Sequence, residues 1–205
     1  MKLTWYGHSC FKMETQGGSL VLDPYAAGSV PGLTLPPLTA DAVLCSHGHA
    51  DHSAAEAVKL TGRSPDFTAE RLCAWHDDVR GAKRGDTALT VVVWDGFRVA
   101  HLGDLGCALT AEQLRILRGV DALLLPVGGY YTIDAPAARA MADEIGAAVT
   151  IPMHYRGEGF GYGEIATVDE FAALSENVVY AQGSSVELRR FDGTKKTVIL
   201  KPEQP

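Results

Sequence analysis

The sequence predicts an α/β protein, of the mixed α+β kind, in which helices cover a β-sheet. Short apolar runs of strand length recur along the chain and are separated by Gly, Pro and Asp residues. One helical segment opens with Asp134 as a capping residue and ends at Gly146. Residues 121–126, this helix and residues 148–152 form a β-α-β unit, which favours parallel pairing within the sheet.

Length and composition limit the class of protein. The chain has 205 residues, so we expect one domain over residues 1–205, with residues 201–205 as a frayed tail. The formal net charge of −7 argues against a broad nucleic-acid contact, which needs clustered Lys and Arg. No apolar run approaches a membrane span. The four cysteines are widely spaced without a CxxC pair, so we expect reduced thiols and a cytoplasmic protein.

The first half of the chain is predicted to alternate strands with irregular segments. Prolines and glycines mark residues 26–40 as an irregular loop, and residues 62–90 show little periodicity. Ser53 begins a run that is typical of a helix, which we expect at residues 53–60. The predicted strands in this half are residues 2–6, 10–15, 19–22 and 41–45.

The second half contains clearer signals. Asp95-Gly96 joins two strand-like runs and indicates a hairpin, because both residues tolerate positive φ. Residues 110–113 form a capping box that opens a helix closed by Gly119, and residues 167–170 open another capped helix. The predicted strands in this half are residues 89–94, 97–102, 121–126, 148–152, 178–181, 186–191 and 196–200.

Residues 46–52 read SHGHADH and concentrate three imidazoles and a carboxylate. The ligand-type residues are His47, His49, Asp51 and His52. Imidazole nitrogen and carboxylate oxygen bind borderline and hard divalent metals, and the Gly and Ala spacers keep bulk away from them. The alternative is a histidine-rich surface turn without metal. Further ligands elsewhere in the chain would favour the metal site.

Such further ligands follow other predicted strands. Asp104 comes shortly after the predicted strand at 97–102. His154 comes after the predicted strand at 148–152, separated from it only by Met153. In a layered α/β protein, strand ends on one edge form a shared rim, so these side chains can meet the histidine cluster. Asp23 ends the strand at 19–22, where it either orients a ligand loop or makes an Asx turn.

On these residues, the chain resembles the metallo-β-lactamase superfamily. It looks most like the small, single-domain cytosolic branch of metal-dependent hydrolases, related to the ascorbate-phosphate lactonases. The resemblance runs through nearly the whole chain and implies a four-layer αββα sandwich, the metallo-β-lactamase fold. The matching motifs are GHS at 7–9, LDP at 22–24, SHGHADH at 46–52, HDD at 76–78, RG at 84–85, HLGDLG at 101–106, PVGG at 126–129 and IPMHY at 151–155.

The resemblance also implies a site for two divalent metal ions, with zinc as first choice and manganese, iron or nickel as alternatives. The implied ligands are His47, His49 and a third histidine at the first site, Asp51, His52 and His154 at the second, and Asp104 between them. The third histidine is His76 or His101. We favour His76, because this ligand usually precedes the strand pair that leads to the bridging Asp. His101 would then support the ligands from behind.

Two divalent ions about 3.5–4 Å apart can bridge a water and lower its pKa, and the resulting hydroxide attacks a carbonyl or phosphoryl centre. Asp51 is expected to serve catalysis as a ligand. His8 and Tyr131 are expected to donate a proton or contact the oxyanion. Tyr155 is a further candidate for which a packing role is favoured. Arg84 either binds a phosphate or carboxylate as a bidentate fork or forms a structural salt bridge.

We therefore expect a metal-dependent hydrolase of a small ester, lactone or phosphorylated metabolite. A phosphodiesterase or nuclease is disfavoured by the acidic charge. A di-iron redox protein is disfavoured because the redox branch has a carboxylate where this chain has His49. A metal binder without catalysis is disfavoured because every expected ligand type is present.

The expected partner is a small-molecule substrate, either neutral or anionic, without nucleic acid or membrane, and the sequence permits an oligomer. The glycine-rich residues 159–163 lack the strand before and the helix after that a nucleotide-binding loop requires. We interpret them as a loop near the active site.

Overall fold

Two β-sheets form the body of the protein, and the computed structural model describes residues 1–189 and 193–204. In chain order the strands are β1 (Lys2–Trp5), β2 (Phe11–Thr15), β3 (Gly18–Leu22), β4 (Leu38–Ala40), β5 (Ala42–Leu44), β6 (Val58–Leu60), β7 (Thr68–Trp75), β8 (Asp86–Trp94), β9 (Phe97–His101), β10 (Ala122–Pro126), β11 (Val149–Met153), β12 (Val178–Tyr180), β13 (Ser185–Glu187) and β14 (Lys196–Ile199). The helices are α1 (Ala111–Leu117), α2 (Ala135–Ile145) and α3 (Asp169–Leu174), with a 3₁₀ turn at Ala55–Ala57. The strand order is β13-β1-β2-β3-β5 in the first sheet and β12-β14-β11-β10-β9-β8-β7 in the second, and β4 pairs with β6.

The first sheet packs against apolar residues on both faces. Side chains point alternately to the two faces along each strand. Phe11 and Met13 of β2 belong to the large core that the two sheets share. Val21 of β3 instead packs in a second cluster with Tyr25 and Leu33 on the other face. Among the described residues, this outer layer consists of loops, the β4–β6 pair and the 3₁₀ turn rather than α-helix.

The second sheet contains the predicted β-α-β unit. Strands β9, β10 and β11 run parallel, and α2 connects β10 to β11. Asp134 caps α2 by accepting a hydrogen bond from Ala137 N, and Gly146 ends it at a φ of +66°. The buried face of α2 includes Ala138 and Met141, which join the large core. The mixed α/β class and this unit are therefore confirmed.

The predicted hairpin and the helix that follows it are also confirmed. Asp95 and Gly96 join β8 to β9 with φ angles of +50° and +76°. Thr110 and Gln113 form the capping box of α1, with both hydrogen bonds present. The helix ends at Leu117, and the expected Gly119 directly follows the C-cap residue Arg118 with a left-handed φ of +65°.

The predicted helix at residues 53–60 is wrong. Only a 3₁₀ turn forms there, and Ser53 Oγ donates to the Gly48 carbonyl at 3.2 Å instead of capping a helix. The next residues form β6, which pairs in parallel with β4 and buries Val58. Strand pairing satisfies the backbone hydrogen bonds of this segment, so a weak local helix propensity is overridden.

Two segments predicted to be irregular contain strands. Residues 62–90 include all of β7 and the start of β8, and residues 26–40 end in β4. Strand β7 lies at the edge of the second sheet and is exposed along most of its length. It therefore lacks the apolar alternation by which a half-buried strand is recognised.

The start of α3 and the last predicted strands differ in detail from the sequence prediction. Helix α3 lacks the predicted side-chain cap, because its N-cap residue is Val168, which has no hydrogen-bonding side chain. Thr167 Oγ1 instead donates to the Asp169 carboxylate at 2.9 Å. Strand β13 covers the beginning of the predicted strand at 186–191. The continuation of that strand at 190–191 lies outside the described residues.

The predicted frayed tail has backbone hydrogen bonds as far as Glu203. Lys201 N donates to Gly183 O at 3.1 Å, and Glu203 N donates to Trp5 O at 2.8 Å. These bonds satisfy backbone groups at the end of β1 and fix the chain there. Within the described residues, no helix has the length and apolarity that a membrane crossing requires.

Candidate metal centre

The predicted ligand residues gather at one edge of the two sheets, where several strands end. The loop of residues 46–52 follows β5, and His76 directly follows β7. Asp104 lies just beyond β9, and His154 directly follows β11. Segments that are distant in the sequence therefore bring polar side chains to a common rim.

Asp104 occupies the centre of this group and is buried. Its Oδ2 atom lies 3.1 Å from His52 Nε2, 3.1 Å from His76 Nε2 and 3.2 Å from His154 Nε2. Burial alone would raise the pKa of Asp104, but the His154 and His52 imidazoles hold it well below its usual range. One ionised carboxylate therefore contacts imidazoles from three strand ends.

Among the described residues, three sets of side chains have ligand atoms within 4.8 Å of one another. The sets are His47, His49 and His76; His8, Asp51, His52 and His154; and His47, His52 and Asp104. The third set shares one histidine with each of the other two. Asp104 thus lies between two groups of nitrogen and oxygen donors.

The donor atoms suit a divalent metal ion. His52 Nε2 and Asp104 Oδ1 are buried without a hydrogen-bond partner among the described residues. His52 Nε2 is close to Asp104 Oδ2, but that pair lacks hydrogen-bond geometry. A buried polar atom without a partner costs about 1–3 kcal/mol, and a bound cation would provide the partner. The residues present therefore fit a metal.

Asp23 lies behind the ligand loop and contacts two of its residues. Asp23 Oδ1 accepts a hydrogen bond from Ser46 N at 2.6 Å, and Oδ2 accepts one from Ser46 Oγ at 2.6 Å. His52 Nδ1 lies 2.8 Å from Asp23 Oδ2. A carboxylate bonded to Nδ1 leaves Nε2 for a metal. These contacts favour an orienting role for Asp23 over a simple turn.

His76 and His101 have different surroundings. His76 Nδ1 lies 3.1 Å from Tyr131 O, which leaves Nε2 directed at the ligand group. His101 Nε2 donates to Ser9 O at 2.9 Å, and its Nδ1 accepts from Gly103 N at 3.1 Å. A histidine with both nitrogens engaged has no free lone pair for a metal. The geometry therefore favours His76 as the third histidine.

A glycine permits the close approach of two ligand-bearing segments. Gly106 N donates to Trp75 O at 2.9 Å. A Cβ at Gly106 would lie 2.5 Å from the carbonyl carbon of His76, so no other residue fits without displacing the backbone. The loop that carries Asp104 can therefore pack directly against the end of β7.

His8 lies behind Asp51 rather than at the surface of the site. His8 Nε2 is 3.1 Å from Asp51 Oδ2, and the His8 side chain is 0% exposed. Burial lowers the pKa of His8 to about 3, so its ring is neutral at physiological pH and can donate one N–H to Asp51. The expected proton donation to a substrate is not supported by this position, which instead suits orientation of Asp51.

A cavity of about 290 Å³ opens onto the ligand groups. Its lining residues are His49, Asp51, His76, Arg84, Asp104, Tyr131, His154 and Tyr162. Tyr131 and Arg84 therefore both lie at the site, as the sequence suggested. Tyr155 does not: it is buried, its hydroxyl donates to Leu200 O at 3.4 Å, and its ring packs against Trp5.

Sequence reasoning did not identify Tyr162. Its hydroxyl lies 2.6 Å from Ser29 O and 3.2 Å from Asp51 Oδ2, so it can donate to one of them at a time. Burial and the nearby Asp51 carboxylate raise the pKa of Tyr162, which keeps the hydroxyl protonated. The glycine-rich residues 159–163 were the available signal, but they do not show which residue reaches the site.

Asp77 was also missed as a structural organiser. Its carboxylate accepts hydrogen bonds from four backbone N–H groups. The donors are Val79 at 2.9 Å, Gly81 at 2.8 Å, Lys83 at 2.8 Å and Arg84 at 2.8 Å. Burial opposes ionisation, but these donors lower the pKa of Asp77 to about 2. The ionised Asp77 thus shapes the turn that carries Arg84 to the cavity.

Comparisons with known proteins agree with this architecture. The sequence profile of the family described as a beta-lactamase superfamily domain matches residues 2–154. A UPF0173 metal-dependent hydrolase of Archaeoglobus fulgidus is 31% identical over 243 aligned residues, which cover 98% of this chain and 96% of the relative. A UPF0173 metal-dependent hydrolase of Methanoregula boonei is 34% identical, and the alignment covers 76% of this chain and 82% of the relative.

Solved structures show the same fold. A protein of Thermotoga maritima, proposed to be a Zn-dependent hydrolase of the metallo-beta-lactamase superfamily, superimposes with a TM-score of 0.79 and 33% identity. The match covers 97% of each chain. A metallo hydrolase of Ignicoccus hospitalis gives a TM-score of 0.66 at 23% identity, covering 90% of this chain and 97% of that one. At that identity the second match shows the fold alone.

Proposed function

Because the chain belongs to the beta-lactamase superfamily and is a metal-dependent hydrolase, we propose that it hydrolyses a small ester, lactone or phosphorylated metabolite. The reaction would take place at a site for two divalent ions. The observation that carries the proposal is the contact of one oxygen, Asp104 Oδ2, with His76 on one side and with His52 and His154 on the other.

The proposed ligand assignment follows the two donor groups on either side of Asp104. We assign His47, His49 and His76 to one ion, Asp51, His52 and His154 to the other, and Asp104 to both. Zinc is the first choice for these nitrogen and oxygen donors, and manganese, iron and nickel are alternatives. Divalent ions at such a site lower the pKa of water towards neutrality and polarise a carbonyl or phosphoryl oxygen.

The remaining residues would orient the ligands and contact the substrate. Asp23 orients His52, and the neutral ring of His8 orients Asp51. The hydroxyls of Tyr131 and Tyr162 belong to side chains that line the cavity. Burial raises the pKa of both tyrosines, so each hydroxyl stays protonated at neutral pH. The Tyr131 hydroxyl can donate to a substrate oxygen, whereas the Tyr162 hydroxyl would have to leave Ser29 O to do so.

The cavity and the charge support a small substrate. A volume of about 290 Å³ is at the lower end of the range for small-molecule sites. The net charge of −7 argues against nucleic acid as the substrate. It therefore also makes the phosphodiesterase or nuclease alternative less favoured than the small-molecule hydrolase. We further propose a cytoplasmic location, supported by four cysteines that are all free in the structure.

An activity screen tests this function. The protein is reconstituted separately with zinc, manganese, iron and nickel, and assayed with lactones, esters, thioesters, phosphomonoesters and phosphodiesters. We expect turnover of a lactone, ester or phosphomonoester and its loss in the D104A variant. The R80Q variant, altered at an exposed arginine, is the matched control. Turnover of phosphodiesters alone would favour the phosphodiesterase alternative, and no turnover by folded, metal-loaded protein would overturn the proposal.

A further inference from the structure

We propose that Arg84 binds an anionic group of the substrate, a carboxylate or a phosphate, on the wall of the metal cavity. This inference rests on the proposed function, because it assigns a substrate feature to the same site. It narrows the proposed substrates to esters, lactones and phosphorylated metabolites that carry a negative charge on a group other than the one that is cleaved. Three features of Arg84 support this role: its position in the cavity wall, its lack of an acidic partner among the described residues and the hydrogen-bonded turn that supports it.

The Arg84 side chain lines the metal cavity and lies over an aromatic ring. Arg84 lines the metal cavity beside His49, His76 and Tyr131. Its guanidinium carbon lies 5.3 Å from the centroid of the Tyr131 ring. A guanidinium beside an aromatic ring can still use its N–H groups for the bidentate hydrogen bonds that carboxylates and phosphates accept.

The charge of Arg84 has no acidic partner in the structure. Within residues 1–189 and 193–204, no carboxylate oxygen lies within 4.0 Å of its guanidinium nitrogens. In contrast, Arg63 pairs with Asp41 at 2.9 Å, and the neighbouring Lys83 pairs with Asp78 at 3.0 Å. The structural salt bridge that the sequence left open for Arg84 therefore has no partner among these residues, and a positive charge stays free at the cavity.

The backbone holds Arg84 in place before any ligand binds. Asp77 accepts hydrogen bonds from the backbone N–H groups of Arg84 and Lys83 through Oδ2, and from Gly81 and Val79 through Oδ1. A carboxylate with four such donors fixes the turn. Fixing the turn in advance reduces the ordering cost of binding an anion, so Asp77 is a positioning residue for Arg84.

A second cavity adjoins the first at Arg84. It has a volume of about 400 Å³ and shares Arg84 and Tyr131 with the metal cavity. An anion bound by Arg84 therefore lies at the boundary of two spaces. The bond to be cleaved can face the metal ligands, while the rest of the substrate has room on the other side.

A sulfate titration of the metal-loaded protein tests the anion site without catalysis. Protein with isotope-labelled arginine gives an NMR resonance for the Arg84 Nε group, which is assigned by its absence from R84Q protein. We expect this resonance to shift saturably as sulfate is added, whereas that of Arg80, an exposed residue of the same turn, stays in place. Equal shifts at the two arginines, or no shift at Arg84, would overturn the proposal.

A matched pair of esters tests the role in turnover. The mono-4-nitrophenyl ester of terephthalic acid carries a carboxylate that cannot reach its own ester carbonyl, and its methyl-capped counterpart is neutral. We expect the ratio of kcat/KM for the anionic over the neutral ester to fall roughly ten- to hundredfold in R84Q, because one charged contact is lost. R84K should lose less, because it keeps the charge without the fork. R80Q should keep the wild-type ratio.

The two tests separate this inference from the proposed function. If both esters are hydrolysed but R84Q leaves the ratio unchanged, the anion site is overturned and the hydrolase function stands. If neither ester is hydrolysed but sulfate shifts the Arg84 resonance, the anion site stands without support for an ester substrate.

Discussion

The Nε2 atom of His76 lies 3.1 Å from the Oδ2 atom of Asp104, whereas the ring of His101, much nearer to Asp104 in the chain, turns to the Ser9 carbonyl. Strand direction explains this arrangement. β7 pairs antiparallel with β8, and β8 pairs antiparallel with β9, so β7 and β9 run the same way and end at the same edge. His76 follows the first of these ends and Asp104 follows the second.

The first prediction concerns these two histidines. H76A should strip metal more severely than H101A, because His76 Nε2 is directed at the ligand group and both ring nitrogens of His101 bond to backbone groups. Metal content after dialysis, measured by mass spectrometry, gives the comparison. Thermal unfolding should instead be more sensitive to H101A, which leaves a buried carbonyl without its donor. Greater metal loss in H101A would show that the third ligand is misassigned.

The second prediction concerns stoichiometry. Purified protein should carry about two equivalents of transition metal, since two donor groups flank Asp104. D104A should reduce the content at both sites, and H49A mainly at one, because the Asp104 carboxylate contacts histidines of both groups and His49 belongs to one of them. Elemental analysis of the wild type and both variants checks this. A native protein that is fully folded and free of metal would contradict it.

The third prediction concerns Asp23. D23N should weaken metal binding by about 10–100-fold, because the carboxylate that holds His52 Nδ1 is lost while the ligands themselves remain. Competition with a chromogenic chelator measures the affinity. D41N is the control, since Asp41 is another buried carboxylate and its partners Ser19, Thr61 and Arg63 lie outside the ligand groups. An equal loss of affinity in both variants would indicate a general loss of stability instead.

The fourth prediction concerns Tyr162. Y162F should lower kcat clearly and change the free energy of unfolding little. The reason is that the hydroxyl lies at the cavity, 3.2 Å from Asp51. Loss of one hydrogen bond to a charged group is worth about 1.5–3 kcal/mol, which is roughly ten- to hundredfold in rate and sets the upper limit of the effect. Y25F, which removes a buried hydroxyl bonded to Tyr6 O, should show the reverse pattern. The idea fails if Y162F retains full activity with the best substrate from the screen.

The fifth prediction is a pH dependence of stability away from the metal ligands. The Thr61 hydroxyl and Arg63 guanidinium lower the pKa of Asp41 from 3.8 to about 2, against the effect of burial. Since the folded pKa is depressed, the stabilisation is present above pH 3.8 and is lost as the pH falls towards 2. The difference in unfolding free energy between wild type and D41N should therefore shrink over this interval.

Urea denaturation of both metal-free proteins between neutral and acidic pH measures that difference. Removing the metal from both samples keeps acid-induced metal release out of the comparison. A difference that stays constant down to the lowest pH would show that Asp41 titrates normally in the folded protein.

Several local elements were predictable because their signals lie within the segment itself. Asp95 and Gly96 tolerate the positive φ angles of the hairpin, and Asp134 and Gly146 delimit α2. The helix expected at residues 53–60 failed for the opposite reason. Its segment takes its conformation from pairing with β4, and β4 lies in a loop that shows no strand signal of its own.

The metal site divides in the same way. The cluster at residues 46–52 was recognisable because six residues of chain cannot separate its ligands by much. The burial of His8, the approach of Tyr162 and the turn built by Asp77 had no comparable signal. The first two depend on contacts with Asp51, which is distant from both residues in the chain. The turn depends on backbone N–H groups, which are present in every sequence.

Side-chain chemistry is a local property, so the sequence by itself determined which residues are able to bind metal. Its motifs also determined that the chain belongs to this superfamily. Which of these residues meet is a property of strand direction. The shared edge of β7, β9 and β11 brings His76 to Asp104, whereas His101 bonds to the Ser9 carbonyl. No local pattern contains that information, because it arises from hydrogen-bonded pairing between strands far apart in the sequence.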